Sequence, residues 1–534
     1  MTNQDFIYKE HSEMLNDLSI SNQRLSDLIH EIINMYLSDN RPWIIGFSGG
    51  KDSTCILSLI YSALLQLKPT QRHKHIYVVS SDTLVETPVV VGLIDHIIDT
   101  INFQAKLNKL PMTAHKVIPE IEKTFWVNLL GRGYPAPTQS FRWCTERMKI
   151  DPVSKFITQK AVESGEVIVV LGSRKQESAN RAKAIKKHKM AHSNLGRHNS
   201  LANAYTYMPI VHWSANDVWE YLLSAPCPWQ GDNQLLFELY KGSNQGECPL
   251  VLDKSTPSCG NSRFGCWTCT VVTEDKALHG LIESGETWMQ PLLDFRNMLF
   301  KTTAPDAKSI YRNTKRRTGK VHYLSLTEKA DVLDKKGIPI RDKNNKKLQQ
   351  TIRKQGKIKN LNSQVSHGPY WMEYRKKWLK QLLKIEKTLQ DEGHEFSIFS
   401  IDELQAIRQQ WLRDPNEPDW IDSLPKIYSE VYETEIEWIE NDAGVFTEPD
   451  ANLLNKLSNQ HHICSELIIK LIEVELSMNG LGKRTGVLKK LESVLKKDWE
   501  SLEEINLRNI ELEKNNIWKE KIDELKNKYS KLAL

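Results

Sequence analysis

Short apolar runs and longer amphipathic stretches alternate through the first half of the chain. Apolar runs lie at 43–47, 75–81 and 167–171, with a shorter one at 116–118. Between them, residues 53–67 and 88–101 repeat apolar side chains at the spacing of a helix with one buried face. Buried strands separated by helices are typical of a doubly wound, mainly parallel sheet, so the pattern predicts an α/β fold.

The flanking regions carry helical patterns. Residues 1–40 place apolar side chains along one helical face and predict a helical N-terminal extension. Amphipathic helices are also predicted at 370–389, 401–412, 463–476 and 488–531, and Ser400-x-x-Glu403 forms a capping box at the start of the second. This α-helical C-terminal region fits a packing or partner-docking unit better than a second catalytic site.

The first apolar run leads into a polar, glycine-bearing turn. The turn comprises Ser48, Gly49, Gly50, Lys51, Asp52, Ser53 and Thr54, and we call it the Ser48–Thr54 loop. Its glycines let the backbone approach an anion, while Lys51 adds a positive charge. The first amides of the following helix point at the same place. The glycines are adjacent, unlike those of G-x-x-x-x-G-K-[ST], but the loop still predicts a phosphate site.

Two further polar residues follow apolar runs. Asp82 comes after the run at 75–81, and Arg174 comes after the run at 167–171. In doubly wound sheets ligands bind beyond the carboxyl ends of the strands, so we expect both residues to border one crevice with the Ser48–Thr54 loop. Arg174 and Arg181 are interpreted as functional, because several cations beside a phosphate loop would otherwise repel one another without gain.

The net charge of +5 on 534 residues conceals two basic segments. Residues 312–360 hold sixteen Lys/Arg against four Asp/Glu, and 174–198 hold eight Lys/Arg against one Glu. Clustered cations displace counterions from phosphates, so 312–360 predicts either a DNA-backbone contact or a solvated, mobile insertion. The chain has no apolar run of ~18 residues and no N-terminal apolar segment, and we expect a cytoplasmic protein without a membrane partner.

Eight cysteines in a chain of this kind favour a metal site or catalysis over disulfides. Cys266-x-x-Cys269 lets two thiolates face one metal. Cys144 and Cys259 would complete a four-thiolate set, with Cys248 as the alternative to Cys259. We favour Cys259 because the adjacent glycine and the short distance in sequence to Cys266 make it easier for the backbone to wrap around a metal. The spacing is compatible with both zinc and an iron–sulfur cluster.

Several motifs together resemble one known family. S-G-G-K-D-S resembles the pyrophosphate loop of the N-type ATP pyrophosphatases, which split ATP between the α- and β-phosphates. G-S-R-K-Q-E-S-A-N-R and P-I-V-H-W-S-A-N-D-V-W-E-Y are similar to segments of phosphoadenosine-phosphosulfate (PAPS) reductases. With F-R-W-C-T-E-R-M-K-I and C-G-N-S-R-F-G-C-W-T-C-T, they resemble the DndC family, the PAPS-reductase-like ATP pyrophosphatases and sulfurtransferases of bacterial DNA phosphorothioation. The resemblance covers about 40 to 300.

This resemblance implies an adenine nucleotide α-hydrolase-like fold and an ATP-dependent sulfurtransferase. The enzyme would adenylate a DNA backbone phosphate for sulfur incorporation, which is DNA phosphorothioate modification. It would use ATP with Mg²⁺ and a [4Fe–4S] cluster, with zinc as the alternative to the cluster. Its partners would be DNA, a cysteine desulfurase as sulfur donor, and DndD- and DndE-like proteins. The catalytic residues would be Lys51, Asp52, Ser53 and Arg174, and nucleotide would bind the Ser48–Thr54 loop, Asp82, Arg174 and Arg181.

The resemblance also suggests a division of the chain. The predicted segments are a helical extension (1–40), an ATP-pyrophosphatase domain (41–230), a Cys-rich iron–sulfur segment (231–311), a basic insertion (312–360) and an α-helical domain (361–534).

Three other functions are weighed against this one. A PAPS or adenylylsulfate reductase would need a redox cysteine near a mobile C terminus, and Cys464 lies far from the end. Cys144-Thr145 also replaces the adjacent cysteines of cluster-binding reductases. A tRNA-thiolation enzyme would bring a recognisable RNA-binding module. The intact Lys51-Asp52-Ser53 argues against a non-catalytic DNA-binding scaffold.

Overall fold

The structure, a computed structural model, describes most of the chain. The described residues are 18–20, 23–177, 179–188, 190, 193–243, 265–323, 327–331, 349–353, 365–436, 448–477 and 486–511. They divide into two units, each assembled from separated stretches of the chain. The first unit takes Met1–Leu129, Ala136–Ala304 and Gln381–Ala406, and the second takes Leu130–Pro135, Pro305–Lys380 and Ile407–Leu534. The five segments predicted from the sequence stay a prediction.

A six-stranded, mainly parallel sheet forms the centre of the first unit. Its strands are β3 (Trp43–Gly46), β4 (Ile76–Ser81), β5 (Met112–Val117), β6 (Val167–Val170), β7 (Leu195–Arg197) and β8 (Ala204–Tyr207), after a small hairpin of β1 (Ser19–Ile20) and β2 (Gln23–Arg24). The strand order is β5-β4-β3-β6-β8-β7. Every pair is parallel except the edge pair β7–β8. The central strands β3 and β6 are buried on both faces, which accounts for their uninterrupted apolar sequences.

Helices cover this sheet. They are α1 (Leu25–Leu37), α2 (Lys51–Gln66), α3 (Pro88–Leu107), α4 (Asp151–Ser164), α5 (Ala179–His188), α6 (Ala215–Ser224), α7 (Asn233–Ser243), α8 (Lys276–Glu283) and α9 (Gln290–Lys301). The main core joins side chains of α1 and α2 to one face of the sheet, and Trp43 and Ile60 are among its fully buried members. The predicted doubly wound α/β fold is therefore confirmed.

The remaining described elements begin at residue 308. They are α10 (Lys308–Tyr311), β9 (Thr327–Asp331), β10 (Gln349–Arg353), α11 (Met372–Asp391), α12 (Ile401–Leu412), α13 (Ser423–Tyr432), α14 (Glu448–His461), α15 (Ser465–Leu476) and α16 (Val487–Leu495), followed by a helix, α17, over 502–511. β9 and β10 pair as an antiparallel hairpin. The capping box of α12 is formed, with the Glu403 amide donating to Ser400 Oγ at 3.1 Å and the Ser400 amide donating to Glu403 Oε2 at 3.1 Å.

Several predicted elements needed correction. The helical N-terminal extension is wrong at 19–24, where β1 and β2 pair; residues 1–17 lie outside the described residues. The third strand is Met112–Val117 rather than 116–118, since Ile118 is 52% exposed beyond its end. The strands β7 and β8 were not predicted. The helix predicted at 488–531 is interrupted between α16 and α17, and residues 512–534 lie outside the described residues.

The first residues of the basic segment are packed within the second unit. Arg312 Nε donates to Gly368 O at 2.8 Å, and Arg317 donates to Arg132 O at 2.8 Å. Burial lowers the pKa of both arginines. The described residues 312–323 are therefore not a solvated insertion, because Arg312 and Arg317 bind backbone carbonyls. Across the described ranges, no helix has the length and apolarity needed to cross a membrane.

Candidate functional site

The Ser48–Thr54 loop joins β3 to α2 at the carboxyl end of the sheet. Gly49 adopts φ +70°, a left-handed conformation that favours glycine. Gly50 is the extended N-cap residue of α2. Ser53 Oγ donates to Gly50 O at 2.9 Å, and the Ser48 amide donates to Ser53 Oγ at 3.2 Å. These bonds hold the turn closed, so that the first amides of α2 face the end of the strand.

Asp52 joins the loop to the end of β6. Its Oδ2 lies 3.1 Å from Lys51 Nζ, and its Oδ1 accepts a hydrogen bond from Arg174 Nε at 2.6 Å. Lys51 is 3% and Arg174 1% exposed, so both cations are desolvated beside one carboxylate. The sequence predicted that these segments converge, and the structure brings them together. Desolvated cations at a helix N-terminus can stabilise negative charge on a phosphate group.

The segment after Arg174 turns back on itself. The Arg174 amide donates to Glu177 Oε1 at 2.8 Å, and Arg181 pairs with the other oxygen of Glu177. Arg174 also donates to Trp213 O at 3.4 Å. Glu177 therefore compensates Arg181, while Asp52 compensates Arg174. Ser178, which belongs to the same motif, lies outside the described residues.

Asp82 lies directly after β4, at the same edge of the sheet as the loop. Its Oδ1 accepts the Leu84 amide at 2.8 Å, and its Oδ2 lies 3.5 Å from Lys116 Nζ. Leu84 adopts φ +62°, which is unusual for a leucine and is supported by this turn. Both carboxylate oxygens of Asp82 thus have protein partners, and a role for Asp82 in nucleotide binding stays a prediction.

Thr54 contributes a hydroxyl that fits a polar ligand. It is 6% exposed, and its Oγ1 has no hydrogen-bond partner among the described residues. Buried hydroxyls are normally hydrogen-bonded, so an orphan at the first turn of α2 fits a site that receives a phosphate oxygen or the ion accompanying it. The predicted nucleotide-binding residues are therefore compatible with ATP and Mg²⁺.

Cys266 reaches the carboxyl end of β4 from a distant part of the sequence. The segment pairs with residues after that strand: the Trp267 amide donates to Val85 O at 3.0 Å, and Glu86 forms an antiparallel bridge with Cys266. Cys266 Sγ lies 3.2 Å from Thr83 Oγ1. Burial and the Glu86 carboxylate raise the pKa of the Cys266 thiol, and Cys144 adds to that increase.

Cys269 shares a tight turn with Cys266. The Cys269 amide donates to Cys266 O at 3.0 Å, and Arg296 Nε donates to Cys269 O at 2.8 Å. Within the described ranges, no group of three His, Cys, Asp or Glu side chains is arranged to hold a metal ion. The choice between Cys248 and Cys259 falls outside the described residues. The tight turn suits ligation of one metal by Cys266 and Cys269, and the four-cysteine site stays a prediction.

Tyr240 is a site residue that sequence reasoning missed. The Lys51 amide donates to Tyr240 Oη at 3.3 Å, and Lys51 Nζ lies 5.6 Å from the centre of the tyrosine ring. Tyr240 lies 189 residues beyond Lys51, and its position on the amphipathic helix α7 resembles that of an ordinary packing residue. No local sequence signal would have distinguished it.

The mainly parallel sheet and the Ser48–Thr54 loop at its carboxyl end define an α/β domain with a candidate phosphate site. Residues 42–272 match the phosphoadenosine phosphosulfate reductase domain family. This part of the chain is therefore similar to that family over less than half of the sequence. A protein of Methanocaldococcus jannaschii without an assigned function is 30% identical over 198 residues, which is 37% of this chain and 35% of that protein. The similarity thus spans about a third of the relative's length.

Two solved structures are similar in part. Phosphoadenylyl-sulfate reductase from Candida auris, in a phosphate complex, is 14% identical and covers 45% of this chain and 92% of its own, with a TM-score of 0.26. The U34-tRNA thiolase NcsA from Methanococcus maripaludis, with its [4Fe–4S] cluster, is 12% identical and covers 41% and 74%, with a TM-score of 0.25. Scores of this size carry no functional information about this chain.

Proposed function

We propose that this protein is an ATP pyrophosphatase and sulfurtransferase that activates a DNA backbone phosphate by adenylation for sulfur incorporation. The observation that supports it most is the arrangement at Asp52, which holds Lys51 and Arg174 at the N-terminus of α2. The PAPS-reductase-like domain supports nucleotide-dependent sulfur chemistry. The step to DNA relies on the motif resemblance of the whole region from about 40 to 300.

ATP would bind with its β- and γ-phosphates against the Ser48–Thr54 loop. The amides of α2, the Lys51 ammonium and the Thr54 hydroxyl would donate to phosphate oxygens, while the Ser53 hydroxyl keeps the loop closed by donating to Gly50 O. Arg174 would stabilise the charge that develops when the α–β bond breaks. Mg²⁺, held by the phosphates and the loop hydroxyls, would neutralise further charge on the leaving pyrophosphate.

The proposed reaction has two displacements. A non-bridging oxygen of the DNA phosphate attacks the α-phosphorus of ATP, and pyrophosphate leaves with the electrons of the α–β bond. The DNA phosphate then carries AMP as a leaving group. A donor such as a cysteine desulfurase delivers sulfur as a persulfide, whose terminal sulfur attacks the DNA phosphorus while AMP leaves with the original oxygen. A thiol reductant then cleaves the S–S bond, forms a disulfide with the donor cysteine and leaves the sulfur on the DNA as a phosphorothioate. If an iron–sulfur cluster is bound, Cys144, Cys266 and Cys269 would hold it as thiolate ligands.

The first test is the release of AMP and pyrophosphate from ATP. We expect Lys51→Ala and Ser53→Ala to abolish this release, because the first removes a cation of the proposed phosphate site and the second removes the hydroxyl that holds the loop closed. Lys106→Ala is the matched control, since Lys106 is an exposed residue at the end of α3. ATP cleavage at the wild-type rate in the Lys51 and Ser53 variants would contradict the nucleotide assignment.

The second test identifies the acceptor. Mass spectrometry of DNA nucleotides should detect phosphorothioate linkages in cells with the protein and its partners, and none with the Lys51→Ala variant. A PAPS or adenylylsulfate reductase is the second candidate, favoured by the family match of residues 42–272. That enzyme would release sulfite from the sulfonucleotide and would leave DNA unmodified. Sulfur found only in tRNA nucleosides would indicate a thiolation enzyme instead.

A further inference from the structure

Tyr240 reaches the Ser48–Thr54 loop from the third turn of α7. Its ring is held against Trp219 of α6, with ring centroids 5.1 Å apart in an edge-to-face arrangement. Phe237, one turn earlier on α7, packs on the same Trp219 at 5.1 Å. Edge-to-face aromatic pairs are favourable, so α6 holds the tyrosine in position.

The hydroxyl of Tyr240 accepts a hydrogen bond from a donor that a phosphate would use. The Lys51 amide belongs to the first turn of α2, and such amides have no partner within their own helix. Tyr240 Oη lies 3.3 Å from this nitrogen. A phosphate oxygen accepting from the same N–H would lie about 2.9 Å from it, in nearly the same place. The two acceptors therefore exclude each other.

The ring of Tyr240 also faces the cation of the loop. Lys51 Nζ lies 5.6 Å from the ring centre, within the range of a cation–π interaction. The same ammonium pairs with Asp52, and Lys51 as a whole is 3% exposed. A phosphate approaching Lys51 must replace the ring as well as the hydroxyl.

We propose that Tyr240 sets the affinity of the loop for nucleotide by competing with the phosphate for the amide and the ammonium of Lys51. This inference rests on the proposed nucleotide site. Each nucleotide-binding event then includes the release of Tyr240 from Lys51. The apparent association constant is the intrinsic association constant multiplied by the fraction of molecules in which Tyr240 has released Lys51.

The start of α7 is fixed, which confines the movement to its later turns. Asn233 Nδ2 donates to Leu222 O at 2.9 Å, tying the first residue of α7 to α6. Gly231 precedes it in close contact, because a Cβ there would lie 2.9 Å from Trp229 Nε1 and 3.0 Å from Cys227 Sγ. Release of Tyr240 therefore displaces its side chain or the final turns of α7, while the α6–α7 connection remains.

The test measures binding of α,β-methylene-ATP, which resists α–β cleavage, by isothermal titration calorimetry. Tyr240→Phe removes only the hydroxyl, and we expect its dissociation constant to fall about two- to tenfold, as for the loss of one competing hydrogen bond. Tyr240→Ala also removes the ring and should bind at least as tightly as Tyr240→Phe. Tyr205→Phe is the matched control. Tyr205 Oη donates to Glu166, which precedes the first residue of β6 and so lies at the opposite end of that strand from Arg174, and this substitution should leave the affinity unchanged.

The sign of the effect decides the inference. If Tyr240 helped to build the site or donated to the phosphate, its variants would bind more weakly; this result, or unchanged affinity in Tyr240→Phe, overturns the competition. Melting temperatures of the variants show whether a weakened variant has simply lost its fold. If wild-type protein and all variants fail to bind the nucleotide at any concentration, the proposed function itself fails, and this outcome is distinct from unchanged affinity.

Discussion

Gly172 lies directly against the backbone of Asp52. A Cβ built on Gly172 would come within 2.6 Å of Asp52 O and 2.8 Å of Asp52 C. Real Cβ atoms do not approach backbone atoms so closely. Gly172, the second residue after β6, must therefore be glycine for α2 to begin where it does, and for Asp52 to meet Arg174 two residues further along.

Gly172→Ala should damage both the site and the fold. The extra methyl group has to push α2 away from β6, and overpacking of this kind costs about 1–3 kcal/mol of unfolding free energy. Because the shift separates Asp52 from Arg174, we expect pyrophosphate release from ATP to fall more than tenfold. Denaturant unfolding and the pyrophosphate assay measure the two effects.

The matched control is Gly92→Ala. Gly92 lies on the exposed side of α3, and a Cβ there has no atom within 4 Å. This substitution should leave ATP cleavage unchanged and raise the unfolding free energy by up to about 1 kcal/mol, since alanine favours a helix more than glycine. Equal losses of activity in the two variants would disprove the steric argument.

Arg174→Ala should reduce stability as well as ATP cleavage. The Arg174 side chain is 1% exposed and donates to Asp52 at 2.6 Å. Its removal deletes a charge-assisted hydrogen bond and should lower the unfolding free energy by about 1.5–3 kcal/mol. Arg174→Lys should recover part of the stability but little of the activity, because lysine lacks the Nε–H that meets Asp52.

The sequence predicts the convergence at this site because the signals are local. Apolar runs identify β3, β4 and β6, and parallel strands present their carboxyl ends at one edge. Asp82 and Arg174 follow from that geometry alone. Their pairing partners do not, because Asp52–Arg174 and Lys116–Asp82 depend on packing between elements that are distant in sequence.

The contacts that sequence reasoning missed are long-range. Tyr240 lies on an ordinary amphipathic helix, and only the fold brings it to Lys51. The short strand β8 has only four residues, of which Tyr205 is half-buried and the other three are buried. Four residues without strict alternation give no periodic signal. Charge counting also misjudged Arg312 and Arg317, because a count does not show which cations bind backbone carbonyls.

The cysteine prediction is tested by metal content. Protein purified anaerobically should contain iron and absorb visible light, and Cys266→Ser or Cys269→Ser should remove both signals, because each deletes a thiolate ligand. Cys144→Ser, Cys248→Ser and Cys259→Ser should identify the other ligands by the same measurement. Cys464→Ser is the control, since Cys464 donates to Glu466 at the start of α15 and should retain full iron content. Stoichiometric zinc without iron would contradict the [4Fe–4S] assignment.

Acid should destabilise the first unit through His75, which directly precedes β4, and His115 of β5. His75 Nε2 and His115 Nε2 each lie 2.8 Å from Thr113 Oγ1, and Lys160 lies nearby. Burial lowers the pKa of both histidines, and neighbouring positive charge lowers it further. The unfolded chain then binds more protons, so stability is complete above pH ~6.5 and is lost as pH falls through the lower pKa values of the folded state.

This pH dependence is measured by urea unfolding between pH 5 and pH 8. We expect His115→Gln to flatten the fall in unfolding free energy on acidification, because a group that takes up a proton on unfolding is gone. His461→Gln replaces an exposed histidine at the end of α14 and should leave the slope unchanged. A wild-type stability that does not fall between pH 7 and pH 5 would contradict the prediction.

The exposed lysines of α5 are the better candidates for DNA contact. Lys183, Lys186 and Lys187 are exposed on this helix, which begins five residues after Arg174. In the other basic segment, Arg317 donates to Arg132 O, and Gly368 leaves no room between itself and Lys315 O. Neutralising Lys315, Arg316 and Arg317 together would therefore disturb packing as well as charge, and its result could not be interpreted.

Replacing Lys183, Lys186 and Lys187 with glutamine should weaken DNA binding and its salt dependence without changing ATP cleavage measured in the absence of DNA. Each lysine that contacts a phosphate releases counterions, so the slope of log affinity against log salt should become shallower by ~0.9 per contact, up to about 2.7 for all three. The matched control neutralises Lys489, Lys490 and Lys496, three exposed lysines on or beside α16. Because both variants lose the same charge, equal slopes would show that net charge alone attracts DNA and that α5 makes no local contact.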